Sequence, residues 1–312
     1  MQNLIRYAKW LATFFISYRE SHAVCKLISR HRHLPFFTNK DASKIRASAS
    51  GKVAVIIGGG SSVTKAKLDG RLDGYKDDFV ICLNASVFAG IKYDIGLVET
   101  SRSRYMRSFL IRAFQDRMHL AGAKKDSKIL FTQISMDIID DHLSKNYCEN
   151  CCTLPQGFID LPPRLSDSST RRLVCILRLH LLLVRLGVAP VGLFARCSLI
   201  RAAMLAITLG FKEIHLLGID GDYSYYFQDS IAWPELSLLK EWTDAAYLGS
   251  THNLMFSGRF VSRKYPESPK EAVHSTWDST RSVYTIPVLI DILSKAFEVQ
   301  IVRLYKDASI LP

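Results

Sequence analysis

Three stretches of the chain hold residue types that could bind and transfer a phosphorylated group. The first is Val55-Ile-Ile-Gly-Gly-Gly-Ser-Ser62, an apolar run that stops on three glycines and two hydroxyls. A glycine turn after a buried parallel strand lets backbone N–H groups approach a phosphate or ribose, which makes Gly58, Gly59 and Gly60 candidate nucleotide contacts. Val63 takes the place of the third glycine of a dinucleotide fingerprint, and no Gly-Lys-Ser/Thr follows, so the loop is neither that fingerprint nor a P-loop. A tight strand–helix turn without a ligand is the alternative. The second stretch, Phe79-Val-Ile-Cys-Leu-Asn84, ends on an amide where a dinucleotide enzyme would place a carboxylate. Asn84 can donate and accept at once, and so read a base edge or ribose, or it can simply cap the strand end.

The third stretch, Arg196 to Asp220, is the richest. Ser198 stands where a helix N-cap belongs, and its hydroxyl with the free N–H groups behind it can hold a phosphate. A small apolar helix over 199–209 ends at Gly210. The next strand delivers Gly218-Ile-Asp220 at its carboxyl end, the edge at which open α/β sheets bind ligands.

Those residues need a sheet to carry them. Val53–Ile57 and Phe79–Leu83 are continuous apolar runs, which suit strands buried on both faces. Lys128–Phe131, Glu213–Ile219 and Glu298–Leu304 complete the set of expected strands. Helical patterns lie between, over 102–119 with five arginines, over 168–186, over 199–209 and over 279–296. In the last, Pro287 either kinks the helix or starts it. This alternation predicts an α/β fold: a single doubly wound, mostly parallel, Rossmann-like sheet. Residues 221–274 lack a clear period and read as a lid or binding loop.

Of the +12 net charge, +7 falls in the first fifty residues. Residues 1–37 read as a basic arm. Over 2–20, Gln2, Arg6, Lys9, Thr13, Ser17 and Glu20 form one polar stripe opposite Trp10, Phe14, Phe15 and Tyr18. Such a helix can lie in a bilayer interface or dock on the domain; its aromatics favour a membrane surface over nucleic acid. Residues 38–51, polar and small, read as a linker to a catalytic domain over 52–312. The seven cysteines read as free thiols in a reducing cytoplasm, and Cys148-x-x-Cys151-Cys152 lacks a second ligand pair for zinc. No apolar stretch reaches the length of a membrane span.

The stretch Gly210-Phe-Lys-Glu-Ile-His-Leu-Leu-Gly-Ile-Asp220 resembles the nucleotide site of the bacterial sialyltransferases of glycosyltransferase family 42. The glycine loop, the strand ending at Asn84, and Val273-His274-Ser275 followed by a helix and Val299–Tyr305 extend the resemblance over roughly 52–311, densely only over 196–227. It implies the GT-A-like variant of the sheet and inverting transfer of a sialic acid-type sugar from a CMP-sugar donor, with no cofactor and no metal required. By position, Ser198 and Asp220 resemble the family's CMP contacts, Tyr223 and Tyr225 the phenols that bind the departing phosphate, and His274 the general base. Gly218 lies on the same strand end. Two departures stand out: Gly59 replaces a family Asn, and Glu99-Thr100-Ser101 replaces Asn-Pro-Ser after the third strand. Glu99 and Ser101 thereby become candidate donor contacts.

The chemistry suits the residue types. Histidine has the pKa of a general base, and phenols with a helix N-terminus can stabilise a leaving phosphate. Asp220-Gly-Asp222 is the chain's one Asp-x-Asp, the pattern of metal-dependent transferases. The resemblance implies a glycan or glycolipid acceptor, lipopolysaccharide or capsule, made at the inner face of the bacterial inner membrane, with the arm holding a cytoplasmic, peripheral enzyme there. Kdo or legionaminic acid could replace sialic acid, and a homo-oligomer is left open. An Mg/ATP-dependent pterin pyrophosphokinase-like enzyme and a non-catalytic nucleotide-binding protein are the rival readings.

Overall fold

The computed structural model describes residues 34–49, 51–60, 62–98, 121–132, 151–158, 167–189, 191–194, 198–219 and 286–304, with isolated positions in the arm, at 110–114 and at 233–236. Glu99, Ser101, Asp220, Tyr223, Tyr225, His274 and most of the 221–274 segment lie outside the described residues.

Among the described residues, seven parallel strands form one sheet. In chain order they are β1 (Val53–Ile57), β2 (Phe79–Leu83), β3 (Tyr93–Val98), β4 (Ala123–Thr132), β5 (Cys151–Leu154), β8 (Glu213–Leu217) and β9 (Gln300–Arg303). A separate parallel pair comprises β6 (Gln156–Phe158) and β7 (Gly192–Phe194). The spatial order is β5-β4-β3-β2-β1-β8-β9. From β1 the chain builds outward to β5, then returns to place β8 on the other flank of β1. The expected α/β sheet is therefore present, and its direction of winding reverses between β1 and β8.

Period-two geometry explains why the apolar runs are continuous. Ala54 and Ile56 of β1 enter one core with Ile81 and Leu83 of β2. Val55 and Ile57 enter a second core on the opposite face with Val80 and Cys82. The first core is covered by α1 (Asn39–Ser48), α3 (Asp167–Arg185), α4 (Ser198–Leu209) and α5 (Ile286–Phe297). The second is covered by α2 (Ser62–Leu68), the 3₁₀ turn Asn84–Phe88 and the helical residues Leu110, Ala113 and Phe114. Phe88, Phe114 and Phe131 form a contiguous ring contact there, with centroids 5.0 and 5.5 Å apart. The remainder of the expected 102–119 helix lies outside the described residues.

The segment read as a linker is instead helical. Thr38 caps α1: its hydroxyl accepts from Asp41 N–H, and the Asp41 carboxylate accepts from Thr38 N–H, a reciprocal box. Ala42 and Ile45 face the first core, while Arg46 donates through Nε and Nη2 to the Thr208 carbonyl at the end of α4. Its own apolar residues are few and mostly small, so composition conceals it. Ahead of it, residues 35–37 pair with Thr153 and cover the β5 edge of the sheet. In the arm, the described positions between 8 and 26 are helical, Phe15 and Ile16 are exposed, and His22 stacks on Phe36 at 5.3 Å.

Two other expectations are resolved. Pro287 sits in the first turn of α5 among the described residues, where its missing N–H costs nothing. Cys151 and Cys152, adjacent on β5, face opposite cores, so they cannot share a metal ion. Among the described residues, they and Cys82 and Cys175 form no disulfide. Among the described residues no helix is long and apolar enough to cross a membrane.

Candidate functional site

The candidate site lies where β1, β2 and β8 end. Ile57 pairs with Cys82 on one side and with Leu217 on the other. Gly58, Asn84 and Gly218 therefore leave the sheet at one level, at the carboxyl edge and at the point of winding reversal. That crevice is where open parallel sheets bind their ligands.

The two strand ends press together at Gly58 and Gly218. A Cβ on Gly58 would lie 2.5 Å from the Gly218 carbonyl oxygen, and one on Gly218 would lie 2.6 Å from Val63 Cγ2 and 2.8 Å from the Gly58 oxygen. Gly218 also has φ +71°, a backbone that side chains rarely adopt. Hydrogen bonds lock the contact. Gly58 N–H donates to the Leu217 carbonyl at 2.7 Å, and Gly60 N–H to the Gly218 carbonyl at 2.9 Å. Gly218 N–H in turn donates to the Ser62 hydroxyl at 2.9 Å.

This changes what the glycine loop does. The expected phosphate-facing amides of Gly58 and Gly60 are consumed by the end of β8. These glycines supply close approach, and among the described residues Gly59 N–H is the amide of the three that makes no internal hydrogen bond.

Asn84 opens the 3₁₀ turn with φ +52°, half-buried at the end of β2. Positive φ outside glycine is uncommon, is tolerated best by Asn and Asp, and clusters at functional sites. Ser86 holds this turn. Its hydroxyl accepts from Leu83 N–H at 2.7 Å and lies within hydrogen-bond distance of the Ile57 carbonyl at 2.7 Å and the Leu83 carbonyl at 3.0 Å. One buried hydroxyl thus ties the ends of β1 and β2 together.

Ser198 begins α4 and is half-buried. The chain leaves α4 at Leu209 and enters β8 at Glu213, so helix and strand run antiparallel, and the helix N-terminus sits at the carboxyl edge. Every residue from Leu199 to Leu209 is buried, Arg201 included, and the helix packs on β1 and β2. Its N–H groups and the positive end of its dipole are directed toward the crevice that Gly59, Asn84 and Gly218 border.

Two described residues of the 221–274 segment, Trp233 and Leu236, are buried. Trp233 is buried in the second core, its Nε1 donates to the Ala89 carbonyl at 3.3 Å, and Lys67 Nζ stands 4.4 Å over its ring. Burial lowers the Lys67 pKa. Sequence patterning did not single out Ser62, Ser86, Lys67 or Trp233. Only Ser62 carried a signal, as the last residue of the glycine-rich motif.

Cys82 is not a nucleophile for this site. Burial pushes its thiol up to about 12, so the thiolate is absent at neutral pH.

No family model and no curated protein sequence matches the chain. Among solved structures it is similar to the sialyltransferase CstII from Campylobacter jejuni. In the complex with the substrate analogue CMP-3FNeuAc, the identity is 16% over 82% of each chain, with a TM-score of 0.35. In the complex with cytidine-5'-monophosphate, the identity is 15% over 82% of this chain and 81% of that one, with a TM-score of 0.34.

Proposed function

We propose that the chain is an inverting glycosyltransferase that takes a sialic acid-type sugar from a CMP-activated donor and passes it to a bacterial surface glycan. The observation that carries the reading is the crevice at the β1/β8 switch point. Its described rim carries Gly59 N–H, Asn84, Ser198 and the N-terminus of α4. Such a rim suits a nucleoside monophosphate, with the phosphate at the helix end and the amide reading base or ribose. β8 then runs directly into Asp220, Tyr223 and Tyr225, the residues that resemble the family's nucleotide and phosphate contacts.

In the proposed reaction an acceptor hydroxyl attacks the donor's anomeric carbon as its proton passes to His274. The carbon–oxygen bond to CMP breaks, and the electron pair leaves with the phosphate, where Tyr223 and Tyr225 donate hydrogen bonds. Attack from the face opposite CMP inverts the centre. Glu99 and Ser101 would contact the donor, and no metal or other cofactor is needed. The arm, over 2–20, would hold the enzyme at the inner face of the inner membrane beside a lipid-linked acceptor.

The test is release of CMP from CMP-sialic acid and from CMP-Kdo, each with and without EDTA. Release from one donor that EDTA leaves unchanged supports the class and names the sugar. Absence of both release and CMP binding overturns the reading and favours a pterin pyrophosphokinase-like or purely binding protein. His274→Ala should abolish transfer while CMP still binds; turnover retained in that variant removes the base assignment.

A further inference from the structure

The outer face of α3 carries a pattern that the transferase reading does not use. Arg171, Cys175, Arg178, Leu182, Arg185 and Leu186 recur at steps of three and four, and all are exposed. They form one continuous stripe that begins one turn after Asp167, the first residue of α3. Leu182, Leu186 and Val188 of the following turn are 52%, 65% and 56% exposed. Clustered aliphatic side chains this open to water mark contact surfaces.

The charge continues beyond the helix. Asn39 donates to the Ala189 carbonyl, which fastens α1, with exposed Lys40 and Lys44, against the turn that ends α3. Burial, and then repulsion from Arg185, lower the Arg46 pKa, which marks two cations held close together. Beside the stripe a cleft of about 370 Å³ is lined by Arg178, Arg185 and Lys212 over Leu181, Phe211 and Phe297, with Glu298 as the acid among its described residues. Arg178 Nε and Lys212 Nζ spend one hydrogen bond each on the Ala296 and Phe297 carbonyls at the end of α5. Arg171 and Arg185 carry their charge on the open face.

We infer that this face of α3, with the adjoining end of α1, docks on an anionic phospholipid surface. Guanidinium groups meet the headgroup phosphates while Leu182, Leu186 and Val188 enter the acyl boundary. The interleaved leucines distinguish the face from a nucleic-acid site, which has no use for exposed aliphatics. Its excess of arginine disfavours a symmetric contact with a second copy, which would set arginine against arginine. The cleft adjoins Lys212 and Val299, just ahead of β8 and β9. It therefore lies at the sheet edge opposite Gly58, Asn84 and Gly218, and docking leaves the crevice open. The inference concerns the folded domain and stands apart from the arm.

Co-sedimentation of the full chain with vesicles of 30% phosphatidylglycerol in phosphatidylcholine tests it, against pure phosphatidylcholine. The chain and an Arg171→Glu/Leu182→Ser/Arg185→Glu variant both keep the arm, so their difference reads α3 alone. The expected result is salt-sensitive binding to anionic vesicles, with partitioning of the variant reduced more than about ten-fold. Leu186→Asp, a single change beyond the helix, should also weaken binding and serves if the triple variant melts early. Equal partitioning of wild type and both variants overturns the inference. So does absence of binding to anionic vesicles. It is also overturned if the changes instead abolish RNA binding or convert a dimer to a monomer in sedimentation equilibrium.

Discussion

Two glycines of nearly identical φ allow the apposition of β1 and β8 to be measured. Gly218 has φ +71° and Gly70 has φ +68°. A Cβ on Gly70 meets nothing within 4 Å, whereas on Gly218 it meets Val63 Cγ2 at 2.6 Å and Gly58 backbone atoms at 2.8 and 2.9 Å. Placing an alanine in the left-handed region costs about 1–2 kcal/mol, offset by about 0.4–1 kcal/mol from a less flexible unfolded chain. Gly70→Ala should therefore destabilise by about 1 kcal/mol. Gly218→Ala adds an overpacking cost of about 1–3 kcal/mol, for a total of about 2–4 kcal/mol. The Gly58 side of the clash is backbone and cannot rotate away, so relief requires α2 or the glycine loop to move. Urea denaturation midpoints at constant m give the stabilities, and calorimetric titration with CMP gives the affinity. Gly218→Ala should lose both stability and CMP affinity, and Gly70→Ala only a little stability. Equal losses in the two variants would refute the tight apposition and the site built on it.

The other predictions concern buried polar groups. His180 in α3 is fully buried, and burial pushes its pKa down to about 4 from 6.5. The unfolded chain then binds the proton more tightly, so stability is present above pH 6.5 and falls as pH drops toward 4, by about 2 kcal/mol at pH 5. His180→Leu should flatten the pH 7-to-5 change in melting temperature; an unchanged slope would show that other groups set it. Ser86→Ala removes the hydroxyl that accepts from Leu83 N–H and bridges to Ile57. It should cost about 1–3 kcal/mol in denaturant titrations and weaken CMP binding, and a neutral change would mean that the strand ends hold themselves.

Local chemistry made part of this protein legible. β1 and β2 run as the apolar patterns predict, because strands buried on both faces cannot afford a polar residue on either. α4 likewise follows its unbroken apolar sequence up to Gly210. Apolar patterning gave no run at β3, which only the family resemblance placed ahead of Glu99, because Asp94 and Gly96 interrupt Tyr93–Val98: Asp94 accepts from Val80 N–H and Lys124, and Gly96 leaves room for Val87. β5, β6 and β7 are three or four residues long, too short for a period to register. α1 was concealed by small residues whose helical value depends on α4.

The sequence by itself determined which segments had to be buried, and it marked Gly58, Asn84, Ser198 and Gly218 as ends of elements. It held no statement that β8 would lie against β1, since that pairing joins residues some 160 positions apart. Only the tertiary structure decided that Gly58 and Gly60 spend their amides on β8 and that Ser86 joins β1 to β2. It also placed three cationic side chains around one cleft at the far edge of the sheet. The reason is physical: burial is a property each residue carries in its own composition, whereas close approach belongs to pairs of residues and exists only once the sheet has been wound.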